Sequence, residues 1–400
     1  MKIIRTATIP LSLNVLLTGQ LRFLANYHEV IAVSSDGDQL DEVREREKVR
    51  TIAIAMERGI SPIKDLISLF KLYDQFKKEK PDIVHSITPK AGLLTMLAGK
   101  MAGVPIRMHT FTWLIIPSKQ GLLQKLLIKM DQLLCWAATN IYPEGKGVKD
   151  DLIAYKITSK PLKILANGNV NGIDLEYFSK KNISIDQQNQ LKYKLGISDF
   201  DFVFVFVGRL VGDKGINELV AAFSQICNPD DYRDANSQIC KLLLVGPFES
   251  ELDPLKAETL QEIELNPNII SVGFQKDVRP YFAIANCLAF PSYREGFPNV
   301  IMQAGAMGLP SIVSNINGCN EIVIEGENGT IIPVKNVDAL QQTMKKMIED
   351  KEYYNKLKAN ARPMIQSRYE QSVVWNALLE EYKRLLKEKE IEFKPCTKTT

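Results

Sequence analysis

Three stretches of the chain place glycine, proline, charge or histidine where an apolar run gives way to a helical one. The first is Val207-Gly208-Arg209-Leu210-Val211-Gly212-Asp213-Lys214-Gly215. Its glycines let backbone approach a ligand closely, and the helix that follows offers free N–H groups. Arg209 and Lys214 add two positive charges, which suits a pyrophosphate whose charge grows as it leaves. No Ser or Thr follows Lys214, so this is not a Walker loop, and it lacks Gly-x-Gly-x-x-Gly spacing. Two solvated side chains on a turn are the plainer reading.

The second stretch runs from Pro291-Ser292-Tyr293-Arg294-Glu295-Gly296-Phe297-Pro298-Asn299-Val300 to Gln303. Pro298 sits where a helix would begin, so Glu295 falls just before a helix N-terminus. A carboxylate there can accept hydrogen bonds from sugar hydroxyls, or it can simply complement the helix dipole. Gln303 follows a little over one turn into the helix, on or near the same face. The third stretch is His109-Thr110-Phe111-Thr112, at a strand end. The histidines are His28, His85 and His109. His85 and His109 follow apolar strands, at the end where open sheets bind ligands, and His28 precedes a strand.

Alternating strands and helices would have to position these residues. In the first half, strands are expected at Ile3–Ala7, Val30–Val33, Ile52–Ala55, Asp82–His85, Ile106–His109 and Asn140–Tyr142. Helices are expected at Ile63–Lys78, Ala91–Met101 and Leu122–Ala137. In the second half, strands are expected at Phe202–Val207, Lys241–Val245, Ile269–Val272, Cys287–Phe290, Ser311–Ser314 and Gly329–Ile332. The helices there are Ile216–Ile226, Val278–Ala285 and Asn299–Met307. This alternation predicts parallel sheets covered on both faces. Two such sets predict an α/β protein of two doubly wound domains facing across a cleft. The expected division is 1–165, then 166–368, then a helix over 369–390 that packs one face on the body. The boundary falls at Ala166–Gly172, rich in Asn and Gly. The tail, 391–400, is expected to be disordered.

Composition excludes several classes. The chain has 400 residues, 45% of them hydrophobic and 24% charged, with a net charge of +3. No apolar run reaches membrane-spanning length, and the N-terminus reads as a strand, which predicts a cytoplasmic protein. The six cysteines form no Cys-x-x-Cys pair and read as reduced thiols packed as small hydrophobes. The aromatic and basic spacing of a nucleic-acid binder is missing. Charge is uneven: residues 1–165 hold 24 Lys and Arg against 16 Asp and Glu, the rest 26 against 31. The basic half is either an ordinary solvated surface or one that meets an anionic membrane at its inner face. Leu122–Ala137, apolar around most of its circumference, reads first as a buried core helix. Its other reading rests the Lys125 and Lys129 edge on a membrane.

Taken together, these residues resemble the retaining glycosyltransferases of family 4, with the two-domain GT-B fold. The likeness rests on Gly208-Arg209-Leu210-Val211-x-x-Lys214-Gly215 and on Glu295-Gly296-Phe297-Pro298-Asn299-Val300 with the later Gly308-Leu309-Pro310. Asn167-Gly168 through Gly172-Ile173-Asp174 and Phe178 extends it. Thr88-Pro89-Lys90-Ala91-Gly92 and His109-Thr110-Phe111-Thr112 are similar to enzymes that build capsule, O-antigen or other lipid-linked glycans. The resemblance implies that Arg209 and Lys214 hold a diphosphate, and that Glu295 binds donor-sugar hydroxyls beside the backbone of Gly296, Phe297, Pro298 and Asn299. It implies Gln303 on the ribose, Phe274 near the base and His109 on the donor sugar. It also implies a UDP-sugar donor, a lipid-linked or glycan acceptor, and no metal or other cofactor. The sequence departs from the family at Gln303, where Glu is usual, at Thr112-Trp113, where His-Gly is frequent, and in the first loop, Pro10–Gly19, which lacks paired glycines. Two alternatives stay open: a sugar-nucleotide 2-epimerase on the same fold, and a non-catalytic sugar-nucleotide-binding partner.

Overall fold

A computed structural model describes residues 1–226, 240–249, 251 and 253–391. Cys227, Cys396 and the tail after Glu392 lie outside the described residues. The chain forms two units, one of Met1–Gly172 with the C-terminal residues from Gln371, the other of Ile173–Glu370.

The first unit contains strands β1 (Lys2–Thr6), β2 (Glu29–Ser34), β3 (Arg50–Ala53), β4 (Ile83–Ser86), β5 (Ile106–Phe111) and β6 (Asn140–Pro143), in the order β3-β2-β1-β4-β5-β6. Every pair is parallel. One sheet face packs under the helices Pro62–Glu79, Pro89–Ala102 and Gly121–Ala137. The other packs under the N-terminal helices and the C-terminal helix Gln371–Glu388. Val374, Leu378, Leu379, Tyr382, Leu385 and Leu386 form that helix's buried stripe. The stretch Pro10–Gly19 is not a loop. Pro10–Leu16 is helical, with Pro10 at its first position and Leu13 buried.

A buried polar track crosses the middle of the face beneath the C-terminal helix. His85 in β4 pairs in register with Arg5 in β1. His85 Nδ1 lies 2.7 Å from the Tyr382 hydroxyl and Nε2 lies 2.8 Å from Thr110 Oγ1. Arg5 donates to Gln20 Oε1 at 2.7 Å and to the Tyr382 hydroxyl at 3.2 Å. With both ring nitrogens engaged, His85 anchors the C-terminal helix and offers no free edge to a ligand.

Burial holds both strand histidines neutral. It pushes His109 down to about 3, and burial with the Arg5 charge takes His85 well below its ordinary value. Unfolded imidazoles take up a proton near pH ~6.5, so below that pH the unfolded chain binds more protons than the folded one. The stability these two rings contribute is therefore complete above pH ~6.5 and falls as the pH drops, by about 1.4 kcal/mol per pH unit for each ring, while Asp131, pushed up to about 7 by burial, offsets part of that loss. The urea midpoint should be lower at pH ~5 than at pH ~7, and equal midpoints would contradict neutral burial.

The second unit contains β7 (Phe202–Val207), β8 (Cys240–Val245), β9 (Ile269–Ser271), β10 (Cys287–Phe290), β11 (Ser311–Ser314) and β12 (Gly329–Ile332), ordered β12-β11-β10-β7-β8-β9. These pairs are also parallel. Phe-Val-Phe-Val-Phe-Val in β7 is buried on both faces, as a central parallel strand requires. The four described cysteines, Cys135, Cys240, Cys287 and Cys319, are all buried.

Candidate functional site

The chain order places β7 at the centre of its sheet, then runs outward to β8 and β9 before returning to β10 on the other side. The switch point therefore lies between the carboxyl ends of β7 and β10, where open α/β sheets form a ligand crevice. Both second-unit stretches singled out in the sequence emerge there. Val207–Gly215 leads from β7 into the helix Ile216–Ile226, and Pro291–Pro298 leads from β10 into the helix Asn299–Ala306.

Two charge pairs clip these loops together. Lys214 Nζ pairs with Glu295 Oε1, with their side chains 16% and 15% exposed. Ser292 Oγ donates to the same carboxylate oxygen at 2.9 Å. Beside them, Arg294 Nε and Nη2 donate to Asp213 Oδ2 at 3.0 and 2.8 Å. Backbone reinforces the clip, since Tyr293 N donates to the Asp213 carbonyl at 2.9 Å. Asp213 N in turn donates to Asp253 Oδ2 at 2.5 Å. Gly215 permits the close approach. Its φ is +72°, and a Cβ there would stand 2.1 Å from the Pro291 carbonyl oxygen. Asp213, Ser292, Arg294 and Asp253 were not singled out from sequence, because their relevance lies in partners from another loop.

Arg209 is separate from the Lys214 pair. Its guanidinium donates to Glu249 at 2.8 Å, with side chains 47% and 33% exposed. Each of the two sequence-picked cations thus already has a carboxylate, and Lys214 is more enclosed than a solvent-facing turn implies. Phe297 is buried and packs edge-on against Tyr369 at 5.5 Å between centroids. Only its backbone is therefore available to a ligand. Pro298 caps the helix Asn299–Ala306, and Asn299 opens it. Gln303 lies half-buried on that helix, and its side chain makes no hydrogen bond among the described residues. Phe274, just beyond edge strand β9, is 73% exposed.

His109 belongs to the first unit, and its ring does not project from the strand end as expected. It is 1% exposed, with Nδ1 2.7 Å from Ser86 Oγ and its ring edge-on to Phe111. It fills the space left by Gly92, where a Cβ would stand 2.4 Å from His109 Cε1. Strand alternation turns the ring beneath the helix Pro89–Ala102. Nε2 has no hydrogen-bond partner among the described residues, so that atom alone is left for a ligand.

Two Rossmann-like halves, each a six-stranded parallel sheet, are the GT-B fold. The chain belongs to the family 4 glycosyltransferases. Residues 17–176 match the description Glycosyltransferase Family 4, and residues 187–364 match Glycosyl transferases group 1. The chain is 31% identical over 391 residues to a capsular polysaccharide biosynthesis glycosyltransferase of Staphylococcus aureus, covering 97% of this chain and 98% of that one. It is 30% identical over 298 residues to an Escherichia coli UDP-Gal:alpha-D-GlcNAc-diphosphoundecaprenol alpha-1,3-galactosyltransferase, covering 74% and 73% respectively. Anabaena HepE, solved with UDP and glucose, shares the fold with a TM-score of 0.78 at 19% identity, over 96% of this chain and all of that one.

Proposed function

We propose that this glycosyltransferase moves a sugar from a UDP-sugar to a lipid-linked or glycan acceptor in surface polysaccharide synthesis, with retention at the anomeric carbon. The observation that carries the reading is the Lys214–Glu295 pair across the β7–β10 switch point. A diphosphate would take Lys214 from Glu295 and Arg209 from Glu249. The freed Glu295 carboxylate would then accept hydrogen bonds from donor-sugar hydroxyls. One donor thus replaces two internal counter-charges and leaves no unpaired buried ion.

In this reading the second unit holds the donor and the first receives the acceptor. Phe274 lies near the base. Backbone of Gly296, Phe297, Pro298 and Asn299 lines the sugar, and His109 Nε2 contacts it. The bond from the sugar anomeric carbon to the phosphate oxygen breaks, and the nucleoside diphosphate leaves with the electron pair. Lys214 and Arg209 stabilise that growing charge. The acceptor hydroxyl attacks from the same face, and its proton passes to the leaving phosphate oxygen. The names of the Staphylococcus and Escherichia relatives support surface polysaccharide and a diphospholipid acceptor. A lipid acceptor would place the enzyme at the inner face of the cell membrane. A 2-epimerase is disfavoured because His28, His85 and His109 all lie in the first unit.

Gln303 tests the nucleotide end. Two ribose hydroxyls can both donate to a carboxylate, whereas Gln offers one acceptor oxygen and a donating NH₂. The neutral bond set is weaker than a charge-assisted one. Gln303→Glu should therefore tighten UDP binding by up to ~1–2 kcal/mol or leave it unchanged, and Gln303→Leu should weaken it. Calorimetric titration with UDP reads both, and identical affinities in all three proteins would remove Gln303 from the ribose.

A further inference from the structure

The first unit carries an apolar surface that the transfer chemistry does not use. In the helix Gly121–Ala137, which the sequence read first as a core helix, only Leu134, Cys135 and Ala137 are buried. Leu122 is 85% exposed, Leu126 48%, Leu133 43% and Trp136 59%. Together with Lys129 these residues recur at spacings of four and three, one stripe along the helix. The helix Pro62–Glu79 presents a second stripe. Ile63 is 78% exposed, and Leu66, Ile67 and Phe70 are each about half exposed. Both helices pack on the helix between them, Pro89–Ala102, in the same layer of the unit. Apolar side chains exposed in such rows mark an interaction surface rather than ordinary surface scatter.

Charge identifies the partner. Lys71, Lys119, Lys125 and Lys129 are exposed on or beside these stripes and have no ion-pair partner among the described residues. Lys100 stands 4.2 Å over the Trp136 ring, which puts a cation and an indole at one end of the stripe. A second copy of the chain meeting this face about a two-fold axis would bring the same lysines together. Anionic lipid supplies what the face lacks: headgroup phosphate for the lysines, acyl chains for the leucines, and an interfacial layer suited to tryptophan. No helix of the described residues is long and apolar enough to cross a membrane.

We propose that Leu122, Leu126, Leu133 and Trp136, with the Ile63–Phe70 stripe, form a membrane-docking face whose lysines select anionic lipid. The proposal deepens the reading that the acceptor is lipid-linked, and it rests on that reading for its purpose but not for its test.

The intact chain is sedimented with vesicles of phosphatidylcholine alone and of phosphatidylcholine with phosphatidylglycerol, without donor or acceptor. Binding should favour the anionic vesicles and weaken with added salt. Lys125→Gln and Lys129→Gln should each lower partitioning onto anionic vesicles about five-fold. Leu122→Ser with Leu126→Ser should lower it on both vesicle types. These side chains are exposed, so the variants should keep the wild-type melting temperature. Equal partitioning onto both vesicles, or none onto either, would overturn the proposal. So would a wild-type dimer that the leucine variants turn into a monomer. Failure here leaves transfer to a detergent-dispersed acceptor untouched, whereas lost transfer with intact vesicle binding strikes only the transferase reading.

Discussion

Lys214→Ala should cut sugar transfer by about two to three orders of magnitude, the usual cost of removing one group that stabilises a developing anion. The ammonium is held at the switch point by Glu295, so it is positioned before any donor arrives. Its loss removes charge stabilisation where the leaving phosphate gains charge, and the effect should fall mainly on turnover. Some stability should be lost as well, because the pair is only 16% and 15% exposed and Glu295 keeps Ser292 as its remaining side-chain donor. The melting temperature of Lys214→Ala therefore has to be read beside its turnover. Glu295→Gln supplies the contrast. It frees Lys214 from a competing carboxylate, so UDP affinity should hold or rise while transfer collapses. Glu249→Gln should likewise raise UDP affinity by releasing Arg209. Single-turnover kinetics beside UDP titration separate these outcomes. Parallel losses of affinity and rate in Glu295→Gln would mean that Glu295 merely supports the loop.

The second large effect is expected at Gly215. An alanine there must adopt φ near +72° and place its Cβ 2.1 Å from the Pro291 carbonyl oxygen. The left-handed conformation alone costs roughly 1–3 kcal/mol, and backbone cannot yield as a side-chain tip can. The β7 and β10 loops must separate, which parts Lys214 from Glu295 and Asp213 from Arg294. Gly215→Ala should therefore lose about 2–4 kcal/mol of stability and nearly all transfer. Urea unfolding measures the first and the transfer assay the second. A variant with wild-type stability and rate would show that the loops need not touch.

Much of this architecture is legible in sequence because its signals are local. Phe-Val-Phe-Val-Phe-Val before Gly208 and Cys-Leu-Ala-Phe before Pro291 declare buried parallel strands, and both occur where expected. Lys214 and Glu295 stand out by type and by place at helix entries. Their pairing does not, since 81 positions separate them and only the strand order brings them together. Asp213 and Arg294 were missed for the same reason. The helix Gly121–Ala137 misleads in another way. Leucines lie nearly all round it, so periodicity cannot say which side meets the sheet. The sheet takes Leu134 and Cys135 and leaves Leu122 and Trp136 outside. His109 looked accessible as a strand-end residue. Its burial depends on Gly92, whose missing side chain makes room for the ring from another element.

Retention during transfer from a UDP-sugar is read from the anomeric configuration of the product. Incubation with an alpha-linked UDP-sugar and a sugar-diphospholipid acceptor, followed by the one-bond carbon–hydrogen coupling at the transferred anomeric carbon, gives the answer. An alpha-linked product, lost in Lys214→Ala, is the predicted result. A beta-linked product would contradict retention, and epimerised donor with no sugar on the acceptor would contradict transfer itself.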